Sequence, residues 1–585
     1  MMDIRKVTPA LSVSPQVSVQ DIAALQGLGF KGLINVRPDG EEDGQPTSAE
    51  MEAAAAASGL AYVHIPVVSG KMTDADIEAF RQARSTMLGP VLSFCRTGTR
   101  AITLWAITQA PTLSNEAIIA TAADAGYDLA GKAADLDARR VSAAQAHEKP
   151  SAPQAAAHTY DVVIVGGGAG GLAAAASLLK RRPGLDIAVI EPRETHYYQP
   201  GWTLVGGGVF SRDQTKRAMA KVMPKGVKWL RAAAAGFAPE RNSVILESGD
   251  EVRYRALVVA PGLKLLWDKV AGLKDTLGKN GVTSNYMFDM APYTWDLVKS
   301  LKGGKALFTQ PPMPIKCAGA PQKAMYLACD HWARTGQLDG IDVAFHTAGG
   351  ALFGVADYVP ALMGYVEKYG AKLNMLENLI AVDGERKVAT FDVTDANGNT
   401  EKVERPFDMI HVCPPQGPLD FIHTSPLANE AGWVDVNAET LQHTRYGNVF
   451  GIGDGTSAPN AKTAAAVRKQ APVVATNVLS VLEGKQSAAI YAGYGSCPLT
   501  VERGKVVLAE FGYGGVLQPT FPKWLVNGTK PSALAWFLKE KLMPALYFDL
   551  MLKGHEWLAK PEIISHKPVL HEAQEACDFS ETKAS

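Results

Sequence analysis

The chain has 585 residues, with 58 lysines and arginines against 59 aspartates and glutamates, a net charge of -1 and 47% hydrophobic residues. That length allows several domains, and the balanced charge gives no indication of nucleic-acid binding. Six scattered cysteines exclude a disulfide framework and a zinc site, so we expect no metal and a reducing compartment. The N-terminus has no apolar signal core, and the sequence contains no run of about 18 apolar residues. We therefore expect neither a standard secretion signal nor a segment that spans a membrane.

Residues 1–125 alternate short apolar runs with helical patterns, which predicts a small α/β domain. The strand-like runs are 32–36, 62–66 and the run from Val91, and the helical patterns are 48–57 and 74–87. Cys95 follows the last strand, and Arg100 closes the loop before a helix. Loop N–H groups, the helix N-terminus and Arg100 would all favour a thiolate, so Cys95 is a candidate nucleophile. The alternative is a buried structural cysteine.

This region resembles a small phosphatase-like family related to protein tyrosine phosphatases, and the resemblance includes the stretch from Asn35 to Glu41. Tyrosine phosphatases place five residues between Cys and Arg, whereas only 96–99 intervene here. The Cys-Arg-x-Gly-x-Arg pattern is similar to the shorter sulfurtransferase loop of rhodaneses, so we favour sulfur transfer over phosphate hydrolysis. Asp39 is the general acid in a phosphatase interpretation, or a turn residue. An inactive anion-binding domain is a third alternative.

Residues 126–158 are rich in Ala, Lys, Asp, Glu, Pro and Gln, which predicts a linker. After it, the apolar run 160–165 enters glycines 166, 168 and 171, and a helical pattern follows. Glu191 stands at the end of the next apolar run, 187–190. A strand, a glycine turn, a helix and an acid at this spacing predict a dinucleotide-binding unit that holds a pyrophosphate at the helix N-terminus.

The stretch from Pro192 to Gly208 resembles sulfide:quinone oxidoreductases, in the subgroup that includes the mitochondrial enzyme, and the resemblance extends over 159 to about 560. It implies an α/β flavoprotein of the disulfide reductase type, with two interleaved dinucleotide-binding domains over 159–510 and bound FAD. Two further flavin elements are the strand that ends at Pro261 and Gly262, and the one that delivers Asp454. The predicted FAD-binding residues are Gly166, Gly168, Ala169, Gly170, Gly171, Glu191, Gln199, Ala234, Pro261, Gly262, Asp454 and Lys462.

No second glycine loop follows the apolar run near residue 305, where a flavoprotein that oxidises a nicotinamide should carry one. Prolines 311, 312 and 314 stand there instead, and proline offers no N–H to a pyrophosphate. This argues against the alternative of a type II NADH dehydrogenase.

Cys317 and Cys497 match the two redox cysteines of the resembled family. The resemblance implies that hydrosulfide attacks a sulfur bridge between them, which leaves a persulfide and a thiolate, and that two electrons pass to the flavin. The sulfur then goes to a small thiol or sulfite. We expect the persulfide on Cys497 and Cys317 facing the flavin.

Lys323 and Lys541 are candidates for positive charge that favours thiolate and hydrosulfide, and Lys316 is expected at the surface. We expect Cys329 and Cys413 to be packing residues, and Cys577 to lie in a polar tail, 561–585.

Residues 511–560 interleave aromatic and aliphatic side chains with lysines, which favours amphipathic helices at a membrane surface with access to a ubiquinone-type quinone. Helices that pack on the core are the alternative. We therefore predict a peripheral membrane enzyme at the cytoplasmic face of a bacterial inner membrane, whose Cys95 domain accepts or transfers sulfane sulfur. The sequence does not indicate an oligomeric state.

Overall fold

The computed structural model describes residues 2–8, 10–87, 90–110, 113–146, 158–459 and 461–563. These divide into two compact units. The N-terminal unit holds the described residues up to 158 together with 245–251, and the large unit holds the remainder.

The N-terminal unit is built on a five-stranded sheet. Its strands are β1 Arg5–Thr8, β2 Leu11–Ser14, β3 Gly32–Asn35, β4 Ala61–His64 and β5 Val91–Phe94, and its helices are α1 Val19–Gly27, α2 Ser48–Ala57, α3 Asp74–Thr86, α4 Thr99–Gln109, α5 Asn115–Asp124 and α6 Ala133–Ala146. The strand order is β1-β2-β5-β3-β4, parallel except for β1. The predicted α/β domain is confirmed, with the elements near their predicted positions.

Three helices of this unit begin with the same local device. Ser18, Thr47 and Thr73 each cap a helix by accepting from a backbone N–H, while an acid three residues later bonds back. This reciprocal arrangement satisfies donors that the first helical turn leaves free. Alternate residues of β3 and β5 enter two apolar clusters, so both faces of the sheet are covered.

The segment predicted as a linker, 126–158, is ordered in its first part, which corrects that prediction. Leu136 on α6 is fully buried, and Arg140 donates to the carbonyl oxygens of Ala110 and Leu113. An alanine-rich composition is compatible with a helix as well as with a linker. The burial of Leu136 and the hydrogen bonds of Arg140 stabilise the helix. Residues 147–157 lie outside the described part of the chain.

The described residues from 159 onwards, 245–251 included, contain these strands: β6 Thr159–Val165, β7 Ile187–Ile190, β8 Thr195–Tyr197, β9 Lys216–Ala218, β10 Val227–Leu230, β11 Ala234–Ala238, β12 Ser243–Leu246, β13 Glu251–Val259, β14 Lys264–Leu265, β15 Val282–Thr283, β16 Gly304–Gln310, β17 Ile341–Thr347, β18 Lys372–Met375, β19 Glu377–Asp383, β20 Val388–Thr394, β21 Thr400–Pro406, β22 Met409–His411, β23 Gln416–Gly417, β24 Val449–Gly451, β25 Ala489–Ile490, β26 Gly495–Glu502, β27 Lys505–Phe511 and β28 Glu562–Ile563. The α-helices are α7 Ala169–Arg181, α8 Trp202–Gly206, α9 Met219–Val222, α10 Leu273–Thr276, α11 Ala291–Ser300, α12 Ala320–Arg334, α13 Val359–Lys368, α14 Asp420–His423, α15 Ala464–Leu482, α16 Ala533–Phe537 and α17 Met543–Ala545.

Two sheets with parallel cores organise the large unit. The first has the order β10-β7-β6-β13-β12-β11, with β24 also paired to β13. The second has the order β15-β22-β16-β17-β18 and is parallel throughout. The antiparallel strands β19, β20 and β21 form a separate three-stranded sheet. This confirms the predicted pair of dinucleotide-binding folds.

The hairpin of β26 and β27 has two different faces. Cys497, Leu499 and Ala509 belong to the apolar cluster that surrounds α12. Leu508 belongs to a second cluster with Ala535 of the C-terminal helical segment. Successive side chains of a strand point to opposite sides, so the hairpin separates the two clusters.

The C-terminal helical segment, residues 533–553, mixes α turns with two π turns, Leu538–Leu542 and Leu546–Leu550. Each π turn adds a residue and changes which side chains face the protein. Lys539 is buried as a result, whereas Lys541 is exposed. Within the described residues, no helix is long and apolar enough to cross a membrane.

Candidate functional site

The glycine turn after β6 excludes side chains at two positions. Gly166 has a φ of 105°, and a Cβ there would lie 2.3 Å from the carbonyl oxygen of Ala260. A Cβ on Gly171 would lie 1.9 Å from the carbonyl oxygen of Gly166. Gly168 faces open space, and α7 begins directly after it. The turn therefore leaves free backbone and a helix N-terminus, as a pyrophosphate requires.

Glu191 lies beside this turn, where β7 ends. One of its carboxylate oxygens accepts from the N–H of Gly167 at 2.8 Å, and the other accepts from the N–H of Arg193 at 2.8 Å. A carboxylate fixed in this way beside a glycine turn can hold a ribose.

A cavity of about 550 Å³ runs from the glycine turn into the second sheet and on to the C-terminal helical segment. All the predicted FAD-binding residues line it except Gly171, which packs inside the turn. Ala464 and Ala465 line it as well, at the N-terminus of α15. Open space at Gly168, a ribose-binding acid and two helix N-termini fit a dinucleotide such as FAD.

Asp454 and Lys462 lie together on the cavity wall. The ammonium group of Lys462 donates to the carbonyl oxygens of Asp454 at 2.8 Å and Thr456 at 3.0 Å, and lies 4.1 Å from the ring centre of Trp433. Burial lowers the pKa of Lys462 to about 8, although Asp454 opposes the shift. Burial also raises the pKa of Asp454, against the charge of Lys462.

The large unit brings Cys317 and Cys497 together. Their sulfur atoms lie 3.7 Å apart, and both thiols are free. Cys317 follows β16 in a left-handed conformation with a φ of 51°, and its N–H donates to the carbonyl oxygen of Lys462 at 3.0 Å. Cys317 lines the cavity, and Cys497 lies behind it on β26. Two thiols at this distance need only a small movement to form a disulfide.

Lys323, on α12, supplies positive charge to both sulfurs. Its ammonium group donates to the sulfur of Cys317 at 3.0 Å and to that of Cys497 at 3.8 Å. The hydrogen bond between the sulfurs, together with Lys323, holds the pKa of Cys317 well below that of an ordinary thiol. The pKa of Cys497 is raised because an ionised Cys317 beside it disfavours a second thiolate. The arrangement therefore favours one thiolate, on Cys317, over two.

Gly319 closes the sulfur site from the α12 side. A Cβ there would lie 2.6 Å from the sulfur of Cys497 and 2.3 Å from a methyl carbon of Leu499. Only glycine therefore lets the start of α12 approach the cysteine pair this closely.

In the N-terminal unit, Cys95 is buried at the end of β5, and its sulfur accepts from the N–H of Gly98 at 3.1 Å. Gly98 has a φ of 85° and precedes α4. The structure thus has the strand, the short loop and the helix that the sequence predicted around this cysteine.

Arg100 joins this loop to an acid that the sequence analysis did not single out. Its guanidinium donates to Glu41 at 2.7 Å and to the carbonyl oxygen of Val67 at 2.7 Å. Burial lowers the pKa of Arg100, but the interactions with Glu41 and Cys95 raise it by more, so the net pKa is raised. The bond from Arg100 is also the main cause that holds the pKa of Glu41 below its usual range.

Asp39 lies at the start of α2. Its carboxylate accepts from the backbone N–H of Ser48 at 2.7 Å and from the hydroxyl of Ser48 at 2.9 Å. Both contacts are those of a residue that holds a turn against a helix.

Comparison with known proteins identifies the family of the large unit. The chain is 43% identical to the mitochondrial sulfide:quinone oxidoreductase of Dictyostelium discoideum over 377 residues, which cover 64% of this chain and 81% of that protein. The chain belongs to the sulfide:quinone oxidoreductase family. The family model described as pyridine nucleotide-disulphide oxidoreductase matches residues 160–288.

The large unit also matches a solved structure, and the N-terminal unit matches a different family. The sulfide:quinone oxidoreductase of Aquifex aeolicus has the same fold, with a TM-score of 0.56 at 19% identity over 68% of this chain and 92% of that one. Residues 3–112 match the phosphatase-like domain of beta-lactamase hydrolase-like protein. That protein in Agrobacterium fabrum is 42% identical over 105 residues, or 18% of this chain and 24% of its own length.

For this member of the sulfide:quinone oxidoreductase family, the predicted Lys541 is not the lysine that the structure brings to the sulfur site. Lys541 is exposed and pairs with Glu540 at 3.0 Å. Lys539 is buried, donates to the carbonyl oxygen of Pro498 at 2.8 Å, and lines the cavity. Burial first, and then the charge of Lys323, set the pKa of Lys539 well below that of an ordinary lysine. The sequence places both lysines in one segment, and the π turn decides which one faces inwards.

Lys316 also differs from its prediction as a surface residue. It is half-buried, donates to the side-chain oxygen of Gln199, and lies 5.6 Å from the ring centre of Trp202. Burial lowers its pKa, although Asp454 opposes the shift. Cys413 packs in the same apolar cluster as Cys317, and burial raises its pKa to about 12, as fits the packing role predicted for it.

Proposed function

We propose that the large unit oxidises sulfide and passes two electrons through FAD to a quinone. One observation carries this proposal: a pair of free cysteines, 3.7 Å apart, stands beside a cavity whose other end is a dinucleotide-binding turn. Membership of the sulfide:quinone oxidoreductase family supports it. The loop after β16, with its prolines in place of a glycine turn, favours sulfide over a nicotinamide as electron donor.

FAD, when bound, supplies a two-electron acceptor beside the cysteine pair. The glycine turn and the N-terminus of α7 would hold its pyrophosphate, and Glu191 its ribose. Gln199, Ala234, Pro261, Gly262, Asp454 and Lys462 would hold the remainder of the cofactor, since all of them line the same cavity.

The sulfur step uses the oxidised form of the pair. Hydrosulfide attacks the disulfide at Cys497, a new sulfur–sulfur bond forms there, and the electron pair of the broken bond stays on Cys317. Lys323, which donates to both sulfurs, stabilises that thiolate. Cys317 faces the cavity, which supports Cys317 as the residue that passes electrons and Cys497 as the one that holds the persulfide. The persulfide sulfur then leaves on a small thiol or sulfite.

Residues 511–560 are proposed to bind a membrane surface. They would give a ubiquinone-type quinone access to the two dinucleotide-binding domains over 159–510. Trp524 is 84% exposed, and Phe537, Trp557 and Leu558 are each about half exposed, at 54%, 48% and 48%. Large apolar side chains exposed in one segment favour an interface with lipid. Co-flotation with anionic liposomes tests this, and a Trp524→Asp, Phe537→Asp variant should stay in the soluble fraction. Location at the cytoplasmic face of a bacterial inner membrane stays a prediction.

The predicted domain 1–125, which lies in the N-terminal unit, is proposed to accept or transfer sulfane sulfur on Cys95. The short loop between Cys95 and Arg100 favours sulfur over phosphate. Phosphate hydrolysis is the second candidate, because the family model that matches this unit describes a phosphatase-like domain. Turnover of an aryl phosphate by the full chain, lost in Cys95→Ser, would favour the second candidate.

The main proposal is tested by the flavin absorbance of the purified protein without oxygen. Sulfide should bleach it within one turnover, and NADH should leave it unchanged. Bleaching by NADH and not by sulfide would contradict the proposal.

A further inference from the structure

A buried carboxyl group lies in the part of the cavity wall that the hairpin and the C-terminal helical segment form. Glu510, on β27, is 5% exposed and lines the cavity beside Leu508, Phe521, Leu538 and Leu542. Apolar side chains from the hairpin and the C-terminal helical segment suit a quinone ring, and they need no acid for packing.

Glu510 is held by hydroxyl and amide groups. Tyr494 donates to its carboxyl oxygen Oε1 at 2.6 Å, and the hydroxyl of Thr520 donates to the same oxygen. The N–H of Thr520 donates to Oε2 at 3.1 Å. Among the described residues, no lysine or arginine forms an ion pair with this carboxyl group; Lys469, 5.5 Å from the ring centre of Tyr494, interacts with the carboxyl group electrostatically without a hydrogen bond. The carboxyl group therefore has no ion pair to break when a proton reaches it.

We propose that Glu510 delivers protons to the quinone. This inference rests on the proposed function, because it concerns the quinone half of the same reaction. Conversion of a quinone to a quinol takes up two electrons and two protons. The two electrons would come from the flavin that the glycine turn is proposed to hold, and the carboxyl group of Glu510 gives one proton to a quinone oxygen. It then takes a proton from solvent and gives the second.

Thr520 provides the way in for protons from solvent. It is half-buried, its hydroxyl contacts both Glu510 and Tyr494, and the distance to the Tyr494 hydroxyl is 3.2 Å. A hydroxyl group donates and accepts at once, so it can pass a proton from water to the carboxylate without a net change of its own.

The hairpin keeps this acid away from the sulfur chemistry. Glu510 is paired with Ser496, directly next to the Cys497–Ala509 pair. Cys497 and Ala509 face α12, and Glu510 faces the C-terminal helical segment. Loss of the acid should therefore slow the quinone half-reaction and leave the sulfide half-reaction unchanged.

The test uses the flavin-loaded enzyme in two separate half-reactions. Sulfide reduces wild type and Glu510→Gln in one stopped-flow series, and their rates should agree within twofold. In the other, dithionite reduces the enzyme and a water-soluble ubiquinone analogue reoxidises it. Glu510→Gln should reoxidise about 100-fold more slowly, the usual loss when a positioned proton donor is removed. Glu510→Asp should recover part of that rate.

Three readouts separate proton delivery from a purely structural role. The solvent deuterium isotope effect on wild-type reoxidation should exceed that of Thr520→Val, and the pH profile of reoxidation should flatten in Glu510→Gln. Infrared difference spectra of wild type on reoxidation should contain a carboxylic acid band. Reoxidation of Glu510→Gln at the wild-type rate would overturn the proposal. If that variant fails to fold, absence of the carboxylic acid band from the wild-type spectra would overturn it instead. Failure of sulfide to reduce wild type would contradict only the proposed sulfide oxidation.

Discussion

The sulfur atoms of Cys317 and Cys497 lie 3.7 Å apart, although 180 residues separate the two cysteines in sequence. Cys317 follows β16 of the second sheet, and Cys497 stands on the β26–β27 hairpin. Lys323 donates to both sulfurs, so the pair shares a cation as well as a position. Neither cysteine has this environment until the hairpin packs on α12.

Replacement of either cysteine should stop reduction by sulfide. We expect Cys317→Ser and Cys497→Ser to lower the rate at which sulfide bleaches the flavin by at least about a thousandfold, because the two thiols act as a unit. The flavin spectrum itself should remain. Cys329→Ala is the matched control, since Cys329 is buried on α12 away from the cavity lining. An equal loss in the control would indicate damage to the fold.

Loss of Lys323 should move the reaction to higher pH. Lys323 is among the causes that lower the pKa of Cys317, so Lys323→Met should raise the pH at which the pair ionises. The measurement is thiolate absorbance of the reduced enzyme in a pH titration. A titration curve that coincides with wild type would show that the hydrogen bond between the sulfurs suffices.

Lys539 and Lys541 lie in the same segment and offer a test variant and a control variant for the lysine beside the sulfurs. Lys539→Met should alter the pH profile of sulfide oxidation, and Lys541→Met should change the rate less than twofold, because only Lys539 is buried at the site. Equal effects of the two substitutions would contradict the assignment.

The same pair predicts how stability depends on pH. The folded pKa of Lys539 lies well below 10.5, so the unfolded chain binds a proton that the folded chain does not. Stability of wild type should therefore fall, relative to Lys539→Met, as the pH drops below 10.5, by about 1.4 kcal/mol per unit until the folded pKa is reached. Melting temperatures of the two proteins between pH 7 and 10.5 check this, with Lys541→Met as the control.

Gly168 and Gly171 should respond differently to a methyl group. Gly168→Ala points into open space and should fold normally, but flavin affinity should fall by about tenfold or more, for which a clash of about 1.4 kcal/mol suffices. Gly171→Ala would clash with the backbone of Gly166 and should reduce the yield of folded protein. Flavin titration of the apoprotein and its circular dichroism separate the two outcomes.

Cys95 should affect the fate of sulfur and not the electrons. Cys95→Ser should leave quinone reduction unchanged and alter the distribution of sulfur products made from labelled sulfide. The reason is that the covalent link between the two units would keep the sulfur acceptor, Cys95, at a high effective concentration near the persulfide on Cys497. Cys577→Ser, at a position outside the described residues, serves as the control. An unchanged product distribution in Cys95→Ser would rule out a role for this unit in sulfur transfer.

Local pattern was enough to predict much of the fold. The glycine turn, Glu191 and the short strands of the N-terminal unit follow from alternating and helical periodicity, and the structure has them where the sequence indicated. The helix α6 was missed because its alanine-rich sequence gave little sign of one buried leucine. Lys539 and Glu510 depend on a π turn and on the face of a hairpin, and neither is fixed by spacing along the chain.

The two faces of the β26–β27 hairpin have a consequence for how the protein tolerates change. Side chains alternate along each strand, so the insertion of one residue would exchange the side that holds Cys497 for the side that holds Glu510. Conservative replacements within each face leave this arrangement intact, whereas a single-residue slip in either strand would turn the side chains of that strand to the opposite face. The hairpin thus sorts its side chains by alternation alone: one face packs around Cys497 and α12, and the other carries Glu510 into the cavity that Cys317 also lines.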